Sequence, residues 1–367
     1  LPRRAGRQAP GRLTGAGSTP TPRLLLLMMS AFCAQLHPTR DWQDDRMTDT
    51  PTKAPKDGSP EIPAQTSRAL WRERLGRVGV WSMELRTAPA ETIERAARSL
   101  DDAGFGALWI PGLDGGQVFS DAQRLLAATR RTSVVIGVQS IWKQEAAELA
   151  ERAAAVESSF PGRLLTGLGV GAAEAAHAVG KPFSTAVREM TNYLDRLDSA
   201  PAPLPGHRRL LGSLGPRMAT LAGTRTAGLH PFLVPAEATV GYRENLGNDA
   251  LLAPHLAVVL NPDPHRAREI ARGGIGFFLG LHTYQGNLRR LGFSDADFVP
   301  GGSDRLIDAL VAWGDIDAVR PRIQEHLEAG ADHVALHVIT PGQQVPTQEW
   351  AQLAAELFQS GGLAAKR

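Results

Sequence analysis

The residues whose types and spacing could do chemistry are a histidine, some hydroxyls, several tryptophans and a scatter of glycines. His230 stands in the run Leu229-His-Pro-Phe-Leu-Val234, and an imidazole titrates near neutrality, as proton transfer requires. A histidine near a strand end is also commonly a hydrogen-bonded packing residue. Gly215-Pro216 follows the apolar run 209–214. Glycine turns the chain there, and proline takes the first helical position, where it is best tolerated. The free N–H groups and positive dipole end of such a helix can hold an anion such as a cofactor phosphate. An ordinary strand-to-helix turn carries the same signature.

The missing patterns narrow the chemistry. There is no His-Glu-x-x-His, no clustered Cys/His set, and no trio of histidines and carboxylates at strand ends. A metal hydrolase is therefore not expected, and no metal ligand is assigned. A Gly-x-Ser-x-Gly elbow is also absent, because Gly212-Ser-Leu-Gly215 has the wrong spacing for a serine hydrolase. Backbone glycines, hydroxyls, tryptophans and one histidine suit a flat, polar-edged organic cofactor that brings its own reactivity. Trp81 and Trp109 read equally well as core, and the glycines of Gly167-Leu-Gly-Val-Gly171 as relief of crowding.

These residues need elements to hold them. From Arg74 onward, short apolar runs alternate with amphipathic helices. Strands are expected at 77–82, 107–111, 133–138, 164–171, 209–214, 229–234, 251–260 and 333–339. Helices are expected at 89–103, closed by Gly104, then at 121–128, 145–160, 184–197, after Pro216, at 239–246, 316–329 and 348–358. Between Pro264 and Trp313 there is no strand candidate; 267–272, 277–291 and 304–313 read as helices of an insertion long enough to cover a site. Eight nearly continuous apolar runs separated by helices predict an α/β fold, a (β/α)8 TIM barrel with a helical insertion before the last strand. An open doubly wound sheet is disfavoured, because no Gly-x-Gly-x-x-Gly opens the helix after the first strand. In a barrel the site lies at the carboxyl ends of the strands, which places Trp81-Ser82, Gly169-Val170-Gly171, Ser213 to Gly215 and His230 around one mouth.

Composition bounds the partners. Of 367 residues 43% are apolar and 21% charged, and the single cysteine, Cys33, excludes an internal disulfide framework. The net charge of +2 sits in the leader, since residues 1–40 hold six arginines and no carboxylate. The remainder carries 34 basic against 38 acidic groups. With no basic stripe and no interleaved aromatics in the body, nucleic acid is not an expected partner. The apolar stretch 24–34 resembles a signal-peptide core but is too short to span a bilayer. Translation starting at Met47 is the favoured account of that leader, which points to a cytoplasmic protein without membrane partners. Residues 1–67 are expected to be a disordered extension, 68–361 the barrel, and 362–367 a short tail.

From Leu75 to about Leu357 the chain resembles the luciferase-like monooxygenase superfamily, and within it the actinobacterial branch of coenzyme F420-dependent oxidoreductases. The resemblance rests on Gly76-Arg-Val-Gly-Val-Trp81, Gly167-Leu-Gly-Val170, Leu214-Gly-Pro-Arg-Met218, the run 227–237 and the run 301–314. It implies a deazaflavin, with FMN as the alternative, lying across the carboxyl face, and hydride transfer to or from a small organic substrate. An FMN-dependent monooxygenase and a cofactor-free or catalytically weak ligand-binding barrel are the alternatives. It further implies a cis peptide at Gly137-Val138 behind the ring, Trp81 packing on the ring and His230 polarising or orienting the substrate. Ser82 is assigned to the cofactor site. The phosphate is expected near Gly169, Val170 and Gly171 and at Gly215-Pro216, with Arg217 as counter-charge. A homodimer is also implied. Two departures from the relatives' pattern stand out: Gly171-Ala172 replaces a Ser-His pair, and Phe183 replaces a tyrosine.

Overall fold

The computed structural model describes residues 64–112 and 117–359. The expectations for the leader up to 63 and for the tail lie outside these residues. Contacts divide the chain into 1–57 and a compact unit of 58–367, which holds everything below. The described part opens with a helix, Ala64–Leu75, so residues 64–67, expected in the extension, are helical. Among the described residues no helix is long and apolar enough to cross a membrane.

Ten strands follow: β1 Val78–Trp81, β2 Ala107–Ile110, β3 Ser133–Ser140, β4 Leu164–Gly169, β5 Arg209–Gly212, β6 Gly228–His230, β7 Leu251–Leu252, β8 His255–Val259, β9 Val311–Trp313 and β10 Val334–Val338. All pair in parallel, in the order β7-β6-β5-β4-β3-β2-β1-β10-β8-β9. Strands buried on both faces must be apolar throughout, and β1, β2, β4 and β10 are buried along their whole length. Only Ala253-Pro254 separates β7 from β8. β7 pairs with β6 and β8 with β10, while the amides of Ala253 and His255 reach the carbonyls of Leu229 and Pro231, each at 2.9 Å. One segment thus joins both ends of the ladder, and the eight-stranded barrel closes on it.

Three expectations are corrected. The seventh strand is not continuous over 251–260, because Pro254 has no N–H to offer the ladder. Residues 304–313 are not all helix: the helix is Asp304–Leu310, and Val311–Trp313 adds β9 beside β8, outside the closed set of eight. The expected break between 272 and 277 does not occur, since Pro264–Leu279 is one helix capped by the Asp263 side chain. Gly274 is held inside it by packing: a Cβ there would meet Ile339 Cγ2 at 2.6 Å.

The amino end of the barrel is sealed. Trp71 and Leu75 of the opening helix pack in one buried cluster with Ala107, Trp109, Val135, Leu165 and Leu210, and Trp71 Nε1 donates to the His207 carbonyl at 2.6 Å. Asp332, 1% exposed, ties Arg68 (2.8 Å) to Arg243 (2.7 Å) and accepts the Leu252 amide at 3.0 Å.

Candidate functional site

Side chains alternate across a strand, and the inward positions of this barrel divide sharply by size. On β3, β4 and β5 they end in Gly137, Gly167, Gly169 and Gly212. The space those glycines leave belongs to Val138: a Cβ at Gly169 would lie 2.6 Å from Val138 Cγ2, and one at Gly212 2.9 Å from Val138 Cγ1. The Gly137-Val138 peptide is cis, where the resemblance implied it, and the β3–β4 register shifts between Ile136 and Gln139. Val138 is half-buried and forms a small apolar shelf at the mouth.

The facing side is bulky. The Trp81 ring lies 4.5 Å from His337, 5.4 Å from Phe232 and 5.5 Å from His255. Its Nε1 donates to the Gly137 carbonyl at 3.3 Å, which links β1 to β3 past the intervening β2. His255 Nε2 and His337 Nδ1 are 3.1 Å apart. Below them Trp109 stacks on His230 at 4.5 Å and donates to His333 Nε2 at 3.0 Å, while His333 Nδ1 bonds the Gly76 carbonyl at 2.8 Å.

Burial keeps these imidazoles neutral. It lowers His230 and His333 to about 4 and His337 to about 3, and holds His255 well below the ordinary value, where His337 and His230 add to the effect. His230 is 2% exposed. Its Nδ1 faces the Ala253 carbonyl at 2.6 Å and must carry the proton, since a carbonyl only accepts; Nε2 then holds a lone pair with no partner. On β3, just past the Gly137-Val138 peptide, the Gln139 amide is fully buried with neither atom bonded.

The structure brings Trp81, Gly137, Val138, Gly169 and His230 together. Other assigned residues stand apart from the mouth's centre. Ser82 is 1% exposed and donates to Glu84 at 2.7 Å; burial raises the Glu84 pKa against that bond. Val170 packs into the outer core, and its carbonyl accepts Trp142 Nε1 at 2.8 Å. Gly171 is exposed with φ +64°, a conformation that favours glycine. At the next turn Gly215 caps the helix Pro216–Arg225, its amide held by Ser213 Oγ at 3.1 Å, and Arg217 is exposed in the first turn.

The insertion roofs this side. In the helix His282–Arg290, Thr283 Oγ1 accepts the Ala173 amide at 3.1 Å and Arg290 donates to the Leu214 carbonyl at 3.2 Å. Tyr284 and Phe278 close on Phe232, with ring centroids 6.4 and 5.3 Å from it. Reasoning from the sequence missed His255, His333, His337 and Phe232. One signal for two of them was present: His333, Ala335 and His337 recur at period two, so they share the inward face of one strand.

Residues 75–200 match the family model described as luciferase-like monooxygenase. That stretch resembles the opening part of a luciferase-like barrel. Among solved structures, an F420-dependent secondary alcohol dehydrogenase holding an F420-acetone adduct superposes with a TM-score of 0.61 at 15% identity, over 80% of this chain and 99% of that one. An EDTA monooxygenase from Chelativorans sp. BNC1 gives 0.61 at 12% identity, over 80% and 95%. The coenzyme F420-dependent tetrahydromethanopterin reductase of Methanopyrus kandleri gives 0.56 at 16%, over 77% and 97%. No curated protein sequence matches the chain. The chain therefore shares the fold of these enzymes at identities too low to carry their cofactors or substrates across.

Proposed function

We propose that this barrel is an oxidoreductase that binds coenzyme F420 and exchanges hydride with a small organic substrate. The observation that carries the reading is the Val138 shelf: a half-exposed apolar residue backed by glycines at the carboxyl mouth, with the Trp81 ring facing it. A flat tricyclic ring fits such a surface, and the first turn of Pro216–Arg225 with Arg217 offers N–H groups and charge for its phosphate. The deazaflavin, when bound, supplies the hydride-accepting carbon. The chain's own part is to hold the ring on Val138 and Trp81 and to keep water out with Phe232, Phe278 and Tyr284. His230, with a bare Nε2 under Gly137, is an orienting group in this reading.

FMN with oxygen is the second reading, favoured by the monooxygenase description of the matching family and by the likeness to the EDTA monooxygenase. Gly171-Ala172 offers neither hydroxyl nor imidazole to either cofactor. Titration of the full chain with F420 and with FMN, read by fluorescence quenching, tests all of this. Micromolar F420 binding with weak FMN binding is expected. The reverse order moves the protein to the monooxygenase reading, and binding of neither removes the enzymatic one. The homodimer belongs to the same proposal and is tested by light scattering.

A further inference from the structure

The roofed part of the mouth contains a polar atom that nothing in the chain uses. His337 is only 8% exposed. Its Nδ1 is engaged with His255 Nε2 at 3.1 Å, and among the described residues no group bonds its Nε2. Around it stand Trp81 at 4.5 Å, then Phe232, Phe278 and Tyr284, the last three half-buried with ring edges still open. Unlike His230 Nε2 and His255 Nδ1, this atom is not fully enclosed, so it is open to water that a ligand oxygen can replace.

We propose that the recess bounded by Trp81, Phe232, Phe278 and Tyr284 binds an uncharged, flat organic substrate by its apolar body and seats that substrate's hydroxyl or carbonyl oxygen on His337 Nε2. The proposal deepens the oxidoreductase reading and rests on it for the word substrate. Among the described residues no arginine or lysine stacks on any of these four rings, the cation–π contacts lying instead at Tyr193, Trp313, Phe298 and Phe293, so an anionic ligand would lose its hydration without a cation against the walls. Aromatic walls favour a planar body.

His255 is the positioning residue. One of the two facing nitrogens must donate, and the choice decides what His337 shows. If Nδ1 of His337 carries the hydrogen, Nε2 accepts from a hydroxyl; if His255 Nε2 carries it, Nε2 of His337 donates to a carbonyl. The pair can therefore recognise both an alcohol and its oxidised counterpart, the two ends of a hydride transfer.

Calorimetric titration of the full chain, with and without F420, would use three probes of one shape: 4-methylphenol, toluene and 4-methylbenzoate. We expect 4-methylphenol to bind about threefold to tenfold more tightly than toluene, the worth of one hydrogen bond, and 4-methylbenzoate to bind at least about tenfold more weakly than 4-methylphenol. His337→Phe should erase the preference for the phenol while toluene still binds. Tyr284→Ala, on the insertion, should weaken phenol and toluene alike and leave their ratio unchanged. Equal binding of 4-methylbenzoate and 4-methylphenol by the unaltered chain overturns the proposal, as does a phenol preference that survives His337→Phe. The unaltered chain's ranking decides even where that variant does not fold. Coenzyme binding without the expected ranking sinks this inference alone; the ranking without coenzyme binding sinks the oxidoreductase reading alone.

Discussion

The two ends of the barrel contain the same kinds of residue and treat them differently. At the amino end His333 has both ring nitrogens bonded, to the Gly76 carbonyl and to Trp109 Nε1, and Asp332 is shared by two arginines and a backbone amide. At the carboxyl end His230 Nε2, His255 Nδ1 and both Gln139 amide atoms are buried without partners. Buried polar groups are normally satisfied. Where Asp332 and His333 are fully bonded at one end and four atoms are left free at the other, the first group serves stability and the second is suited to a ligand.

The largest effect expected from breaking this contrast lies at the amino end. Asp332→Ala leaves Arg68 and Arg243 facing each other around a buried hole and should cost about 3 kcal/mol, the usual loss when one partner of a buried ion pair is removed. Urea unfolding measures it. Ligand binding per folded molecule should not change, and a selective loss of cofactor affinity would show that the two ends are not separate.

The histidines give the next effect, and its sign follows from their direction. Their folded pKa values lie below the unfolded one, near 4 for His230 and His333 and near 3 for His337. The unfolded chain therefore takes up protons below about pH 6.5 that the folded chain refuses. Stability contributed by the neutral rings is complete above pH 6.5 and is lost as pH falls towards 4, by up to about 1.4 kcal/mol per pH unit for each histidine. Unfolding free energies at pH 7 and pH 5 check this, and His337→Asn should flatten the slope by about one proton. A stability independent of pH across that window would mean that these rings are not held neutral.

How much of this could be read beforehand depends on the range of the interaction. The barrel was legible because each β/α unit carries a local signature: the helix Ala90–Ala103 ends at Gly104 with φ +102°, and Pro216 opens its helix as expected. β9 was not, since Val311-Ala-Trp313 becomes a strand only by pairing with β8, more than fifty residues earlier. The site divides in the same way. Gly137-Val138, Trp81 and His230 were assigned and do meet, whereas the His255–His337 pair joins residues 82 positions apart and has no local pattern. Ser82 was assigned to the cofactor site from its place after β1, and its bond to Glu84, two residues on, was not read.

A smaller effect concerns the shelf. Gly212→Ala puts a methyl 2.9 Å from Val138 Cγ1 and 3.0 Å from Cγ2, tighter than two carbons accept, so Val138 must move. Overpacking of this kind costs about 1 to 3 kcal/mol, and the side chain that gives way is the one proposed to carry the ring. Cofactor affinity should therefore fall by more than stability does, as a titration beside a melting curve would reveal. An unchanged affinity would remove Val138 from the site.

The smallest effect sharpens the contrast at its outer edge. Arg217 is exposed in the first turn of Pro216–Arg225, and among the described residues it forms no ion pair. A charge held on the surface has little to do for stability, yet beside free N–H groups it would draw a phosphate to the helix end. Arg217→Ala should leave the unfolding midpoint where it is and weaken F420 or FMN about threefold to fivefold at low salt. The difference should shrink as ionic strength rises and the Debye length contracts to about 8 Å at physiological salt. A loss that persists at high salt would point to a direct, desolvated contact. No loss at any salt would move the phosphate away from this turn and leave the Val138 shelf to bind the cofactor by its ring alone.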